Sequence, residues 1–257
     1  MSSAAMFTAV TGTVAQQVKI DVIANNLANL GTPGFKRIRP QFEDLLYETV
    51  RSPAAEGGSP NGLQFGRGTR VVSTEHIHTT GALRETSQPL DMAIEGDGFF
   101  AVQRLNGDIG YTRNGSFRLD SNGNLVNPAG LPLDPPITIP SDAISITITQ
   151  DGFVNVTQPG SATPTQVGQI QLFRFVNNAG LEAIGHNLFA ESEASGTPTS
   201  GLPGSEAFGL IAQGSLEESN VNIAEELVNL ILAQRAFEAN TRVISSSDDM
   251  LRFVTQR

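Results

Sequence analysis

His76 and His78 stand two residues apart, a spacing that puts both imidazoles on one face of an extended strand and could offer two nitrogens to a metal. The third histidine, His186, is remote in sequence, and no carboxylate cluster accompanies the pair. Polar side chains on the solvent face of a strand explain them more simply. The run GDGFFA at 96–101 imitates the dinucleotide fingerprint G-x-G-x-x-A. That motif needs a helix whose N-terminus meets the pyrophosphate, and here strand-type residues and another turn follow. The run DSNGN at 120–124 hints at a calcium loop, but the distal glutamate is missing and the glycine falls two positions early. A β-turn accounts for it. There is no G-x-S-x-G elbow, no H-E-x-x-H and no cysteine. These residues predict no catalytic, cofactor or metal site, and a protein that is not an enzyme.

The 257-residue chain is 39% hydrophobic and 16% charged, against about 25% charged in an average soluble protein. Low charge without a membrane span suggests surface reserved for neighbours. The net charge is −10 and no basic stripe with interleaved aromatics occurs, so nucleic acid is excluded as a partner. The N-terminus lacks the basic region and unbroken apolar run of a cleavable signal, and no stretch is apolar enough to span a bilayer. Export, if it occurs, is expected by another route.

Helices are expected at both ends. Over 4–30, Met6, Val10, Thr13, Gln17, Ile20, Ala24 and Leu27 follow alternating four- and three-residue steps, the spacing of a coiled-coil seam. Gly31 and Pro33 supply the stop. Gly12 and many β-branched residues make this helix marginal alone in water. Between Met1 and Phe35 only Lys19 and Asp21 are charged, so it lacks the polar face of a monomer's surface helix and requires neighbours on several sides. The second helix spans 222–257, with Asn222 as cap and Glu225 three positions on. Its seam reads Ile223, Leu227, Leu230, Gln234, Phe237, Thr241, Ile244 and Leu251, interrupted by Asp248. Glu238–Arg242 and Asp248–Arg252 are spaced as (i, i+4) ion pairs.

The middle reads as strands. Ile144, Ile146 and Ile148 alternate with polar residues before an Asp151-Gly152 turn, and Asn-Gly pairs at 106–107, 114–115 and 122–123 predict hairpin turns. Residues 42–47 suggest one short packing element, while 51–62 and 195–204 have linker composition and are expected on the surface. The fold class is therefore α+β. Residues 1–30 and 222–257 form a terminal helical core that pairs as a coiled coil, 31–70 an extended linker, and 71–221 an all-β domain.

Several longer motifs carry a resemblance. DVIANNLANLGTPGFK at 21–36 is similar to the N-terminal signature of bacterial flagellar rod and hook proteins. LDMAIEGDGFF at 90–100 and YTRNGSF at 111–117 resemble their central motif, and SNVNIAEELV at 219–228 with QRAFEAN at 234–240 their C-terminal signature. FEDLLY at 42–47, LQFG at 63–66, DGFV at 151–154 and GLEAIGHNL at 180–188 resemble distal-rod members, with proximal-rod and hook-type members as alternatives.

The resemblance implies a structural subunit that polymerises helically into a stiff hollow driveshaft, in the periplasmic part of the flagellar basal body, transmitting torque to the hook. It implies a β-rich domain outside an inner tube of terminal helices, export by the flagellar type III apparatus, and no cofactor. The implied partners are further copies of the chain, proximal rod proteins, the hook protein, the rod cap, and the P and L ring proteins. On the first helix and the turn after it, the expected assembly interface comprises Val10, Ile20, Ile23, Asn25, Asn26, Leu27, Asn29 and Phe35. On the second it comprises Leu227, Leu230, Ile231, Phe237, Ile244 and Leu251. Tyr47, Arg51, Pro53 and Gly62 mark a segment expected to stiffen the rod. A secreted adhesin or a carbohydrate-active enzyme with a carboxylate pair are remote readings from other classes.

Overall fold

The computed structural model describes residues 2–51, 62–160, 163–205 and 207–255. The chain divides into two compact units, one of Met1–Ala28, Ile38–His76 and Asn222–Arg257, the other of Asn29–Arg37 and Ile77–Val221. The class is α+β, with helices at both ends and strands between them.

In the first unit, α1 (Ser2–Ala28) and α2 (Ile223–Thr255) lie against each other. The Asn222 side chain caps α2, its Oδ1 accepting from the backbone N–H groups of Ala224 and Glu225 at 3.0 and 3.4 Å. Glu225 and Glu226 in the first turn and Arg252 in the last agree with the helix dipole. Asp248 pairs with Arg252 at 3.0 Å as the spacing predicts. Glu238 does not pair with Arg242. It takes Arg235, three residues earlier, at 3.0 Å.

The rest of this unit is a two-stranded arm. Ile38–Asp44 runs antiparallel to Thr69–His76, and the arm continues as Glu48–Arg51 paired with Leu63–Phe65. It rests on α1, so α1 is covered on two sides within one chain. At the contact, Gly68 has a φ of 112°, and a Cβ there would fall 2.0 Å from Thr11 Oγ1. The Thr69 N–H donates to the same hydroxyl at 3.4 Å.

The second unit is β structure around two apolar clusters. Leu133–Asp134, Phe100–Gln103, Ile109–Thr112, Leu188–Ala190 and Glu182–Gly185 form a five-stranded sheet in that order. Ser145–Ile148, Phe153–Thr157 and Thr165–Gln169 form a three-stranded one, with the turn at 151–152 where the sequence predicts it. Met92, Ile94, Phe100, Phe117, Leu125, Ile170, Leu172 and Ile211 are closed to solvent at the centre. A second cluster holds Phe99, Tyr111, Phe173, Phe175 and Phe189, with ring edges directed at ring faces.

One expectation for the middle is corrected and another refined. Asn114-Gly115 is not a hairpin turn, because Ile109–Thr112 pairs with Phe100–Gln103 and Arg118–Leu119 with Leu125–Val126. The 195–204 stretch lies largely at the surface, as expected, but it is not without structure. Ser195 is fully buried, its hydroxyl donating to the carbonyls of Ser192 and Gly196, and Thr199–Gly201 pairs with Leu172–Arg174.

Candidate functional site

The two helices are held by small and polar contacts. Asn26 is closed to solvent on α1. Its side-chain amide donates to the Ile38 carbonyl at 2.9 Å while its Oδ1 accepts from the Ile38 N–H at 2.9 Å, a two-way clasp on the first strand of the arm. The same amide donates to Glu226 Oε2 on α2 at 3.4 Å. At the other end Gly12 faces Asn240, and a Cβ at position 12 would lie 2.9 Å from Asn240 Nδ2. The two pairings run in opposite senses along the chain, so α1 and α2 are antiparallel.

The covered side of α2 carries Glu226, Leu230, Ala233, Phe237, Asn240, Ile244, Ser247 and Leu251, an unbroken 4-3 repeat. Leu230, Phe237, Ile244 and Leu251 stand on it as the spacing predicts. Leu227 does not, and is 46% exposed; Gln234 and Thr241 are also exposed. The true alternating positions are the less conspicuous Glu226, Ala233, Asn240 and Ser247. On α1, Ala9, Ala15, Ile23 and Asn26 are buried, Ile20 and Leu27 half-buried, and Val10 and Asn25 exposed.

What remains exposed is apolar. On α2, Ile223, Leu227, Val228, Ile231 and Leu232 stand open, with Ile231 at 56% and Leu232 at 58%. They sit a quarter to half a turn away from the side facing α1. On α1, Phe7, Val10 and Val14 make a second open stripe. The arm adds Tyr47, Val50, Leu63, Phe65 and Leu46, the last 90% exposed. Its charges are paired across the strands, as Arg39–Glu75 at 3.0 Å, Arg67–Glu48 at 2.8 Å and Arg70–Glu43. Arg51 is exposed and Gly62 half-buried, and Pro53 lies outside the described residues.

Asn29 and Phe35 belong to the second unit. They shape the turn after α1, where the Phe35 N–H donates to the Thr32 carbonyl and the Thr32 N–H to that of Asn29. Gly34 closes this turn at a φ of 69°, its α-carbon against the backbone of Arg113 and Asn114. Behind it is a buried ion cluster that the sequence reading missed. Lys36 Nζ donates to Glu217 Oε1 at 2.6 Å and to the Thr79 carbonyl at 2.7 Å. Arg113 Nε lies 2.9 Å from Glu217 Oε2. Burial lowers the Lys36 and Arg113 pKa values, and the Glu217 charge opposes that shift in both. Arg113 also donates to the carbonyls of Gly98 and Gly96 at 2.6 and 2.8 Å. The glycine-rich turn thus presents carbonyls to an internal guanidinium, the reverse of a phosphate-binding loop.

The other candidate chemistry has structural uses. Asp120 Oδ1 accepts from the backbone N–H groups of Asn122 and Asn124 at 2.8 Å, which lowers its pKa. His78 packs edge-on against Phe99 and Phe189. Among the described residues no group of three metal-ligating side chains converges, and no helix is long and apolar enough to cross a membrane.

Three family models match the chain. Residues 6–36 match "Flagella basal body rod protein", 93–156 "Flagellar hook protein FlgE/F/G D1 domain", and 212–257 "Flagellar basal body rod FlgEFG protein C-terminal". The chain is 50% identical over 250 residues to the flagellar basal-body rod protein FlgG of Buchnera aphidicola from Acyrthosiphon pisum, covering 96% of both chains. With the protein of the same description from Borreliella burgdorferi it shares 48% over 253 residues, again 96% of each. It belongs to the FlgG family of flagellar basal-body rod proteins. The FlgG relatives match its length, whereas the flagellar hook protein FlgE of Salmonella typhimurium is 26% identical across an alignment of 405 positions and carries extra length. Two of the family-model matches fall on the helix pair, and the third covers the GDG turn and Arg113.

Proposed function

We propose that the chain is a structural subunit of the flagellar distal rod, polymerising helically into a stiff hollow shaft that passes torque to the hook. The observation that carries this is the apolar surface left open on both terminal helices, above all Ile223, Leu227, Val228, Ile231 and Leu232 on α2. Burying one such side chain is worth about 1.5–3 kcal/mol, so covering several per subunit supplies a strong drive to associate. Open apolar stretches over Phe7–Val14 of one helix and Ile223–Leu232 of the other suit a tube in which each pair packs, coiled-coil fashion, against pairs of neighbouring subunits. The arm, with Leu46, Tyr47 and Phe65 open, is the element we assign to contacts between neighbours that stiffen the shaft. Proximal rod proteins, the hook protein, the rod cap and the P and L rings are the proposed further partners, in the periplasm, after type III export.

The test replaces Leu227 and Ile231 with aspartate in cells that make no other copy of the protein. Both side chains are exposed, so the purified variant should unfold at the temperature of the parent. Rods should stop short of the hook and motility should be lost. Full rods and normal swimming from the double variant would overturn the proposal.

A further inference from the structure

The helix pair is marked at two points of equal spacing, the Asn26–Glu226 hydrogen bond and the notch at Gly12 that Asn240 occupies. Fourteen residues separate Gly12 from Asn26, and fourteen separate Glu226 from Asn240. Both contacts therefore belong to one antiparallel register, two heptads or about 21 Å apart. Between them Ala15 is level with Phe237, Lys19 with Ala233 and Val22 with Leu230. Leu230, Phe237, Ile244 and Leu251 recur every seven residues, so a slide of one heptad sets one large side chain where another stood. Shape complementarity discriminates poorly between such registers.

We infer that Asn26 and Asn240 are the register-setting residues of the terminal helix pair. A slide of one heptad in one direction would set Asn26 level with Ala233 and Asn240 level with Lys19. In the other direction Asn240 would face Ala5 and lose the notch at Gly12. Each slide breaks the contact between the Asn26 amide and the buried Glu226, while Asn26 keeps its two bonds to Ile38. Losing a buried polar contact is costly, which is how a single seam asparagine specifies register in coiled coils.

Asn26 does more than choose between registers. Through its two hydrogen bonds to Ile38 it ties the start of the arm to the same point on α1 that meets Glu226. One side chain thus links the arm's position along the helix pair to the register of the pair. Neither Asn25 nor Ala24, both exposed, is placed to do this. The inference stands on the geometry of one chain and not on the rod reading, so either can fail without the other.

The chain has no cysteine, which makes disulfide trapping clean. Val22→Cys is combined in the full-length protein with Leu230→Cys for the native register, or with Phe237→Cys or Ile223→Cys for the two slipped ones. After mild oxidation, non-reducing gels and peptide mass spectrometry score the intramolecular link. In the parent background the 22–230 link should dominate severalfold. With Asn26→Ala and Asn240→Ala added, the two slipped links should rise to comparable yield. Equal linking of all three pairs in the parent would overturn the inference. So would a double variant that still links only 22–230, or one that links none, which would give the asparagines a role in pairing itself rather than in register.

Discussion

Lys36 Nζ lies 2.6 Å from Glu217 Oε1, and neither side chain reaches solvent. The same carboxylate faces Arg113 and accepts the Gly81 N–H at 2.8 Å, while the Glu217 carbonyl accepts the Gly34 N–H. One glutamate therefore ties the turn after α1, the segment entering Leu83–Glu85 and the GDG turn held by Arg113 into one knot.

Removing that glutamate should be severe. Glu217→Ala leaves two buried cations without their counter-charge, for which a loss of about 3–5 kcal/mol is expected. Lys36→Met keeps Glu217 with Arg113 and should cost less. Denaturant unfolding of the two variants and the parent measures both. A Glu217→Ala loss smaller than that of Lys36→Met would show that the cluster is not organised around the carboxylate.

Tyr111 gives a pH dependence of definite sign. Its phenol is pushed up from 10.0 to about 12, mainly by burial and further by the charges of Glu191 and Asp134. The folded chain keeps this proton at pH values where the unfolded chain has released it. The resulting stability is complete below pH 10 and is lost as pH climbs from 10 towards 12. Tyr111→Phe keeps the ring packed against Phe173 and Phe175 and removes the titration. Melting temperatures taken between pH 9 and about 12 should fall more steeply for the parent than for the variant. Parallel curves would reject this.

Two glycines that look alike in the sequence should behave differently. Gly107 has a φ of 89° and open space around it, so Gly107→Ala costs only the left-handed backbone penalty of about 1–2 kcal/mol. At Gly115 a Cβ would fall 1.6 Å from the Met92 carbonyl oxygen, on the strand beside it. Backbone must move there, and Gly115→Ala should cost about 3 kcal/mol or more. Chemical denaturation of both variants compares them directly.

Those glycines also show where sequence reading stops. An Asn-Gly pair announces a glycine but not its reason, and at 114–115 the reason is the neighbouring strand at Met92, 23 residues before Gly115 in sequence, rather than a turn. The helices divide in the same way. Their existence and the 4-3 repeat were legible from the spacing of apolar residues, and Leu230, Phe237, Ile244 and Leu251 lie on the covered side. The alternate positions were not legible, because Leu227 and Ile231 are larger and more apolar than the Ala233 and Asn240 that meet α1. Hydrophobic periodicity finds the greasiest stripe, and here part of that stripe is open in a single chain. Lys36, Arg113 and Glu217 are far apart in sequence, so only the fold brings their charges together.

The arm yields the last prediction. Arg51 pairs with Leu63, so the two strands are already adjacent where residues 52–61 leave and return. Replacing 52–61 with one glycine would leave it and Gly62 as a two-residue connection, a length that closes antiparallel strands without strain. The strand pairs, the Asn26 clasp on Ile38 and the open helix faces are untouched by that change. Assembly should therefore proceed, while any contacts proposed for 52–61 between neighbouring subunits are lost. If those contacts resist bending, as proposed for the segment marked by Tyr47, Arg51, Pro53 and Gly62, the shortened chain should build rods that curve. Electron micrographs of isolated basal bodies decide the matter: straight rods from the shortened chain would remove this segment from the account of stiffness and leave the paired strands of the arm to explain it.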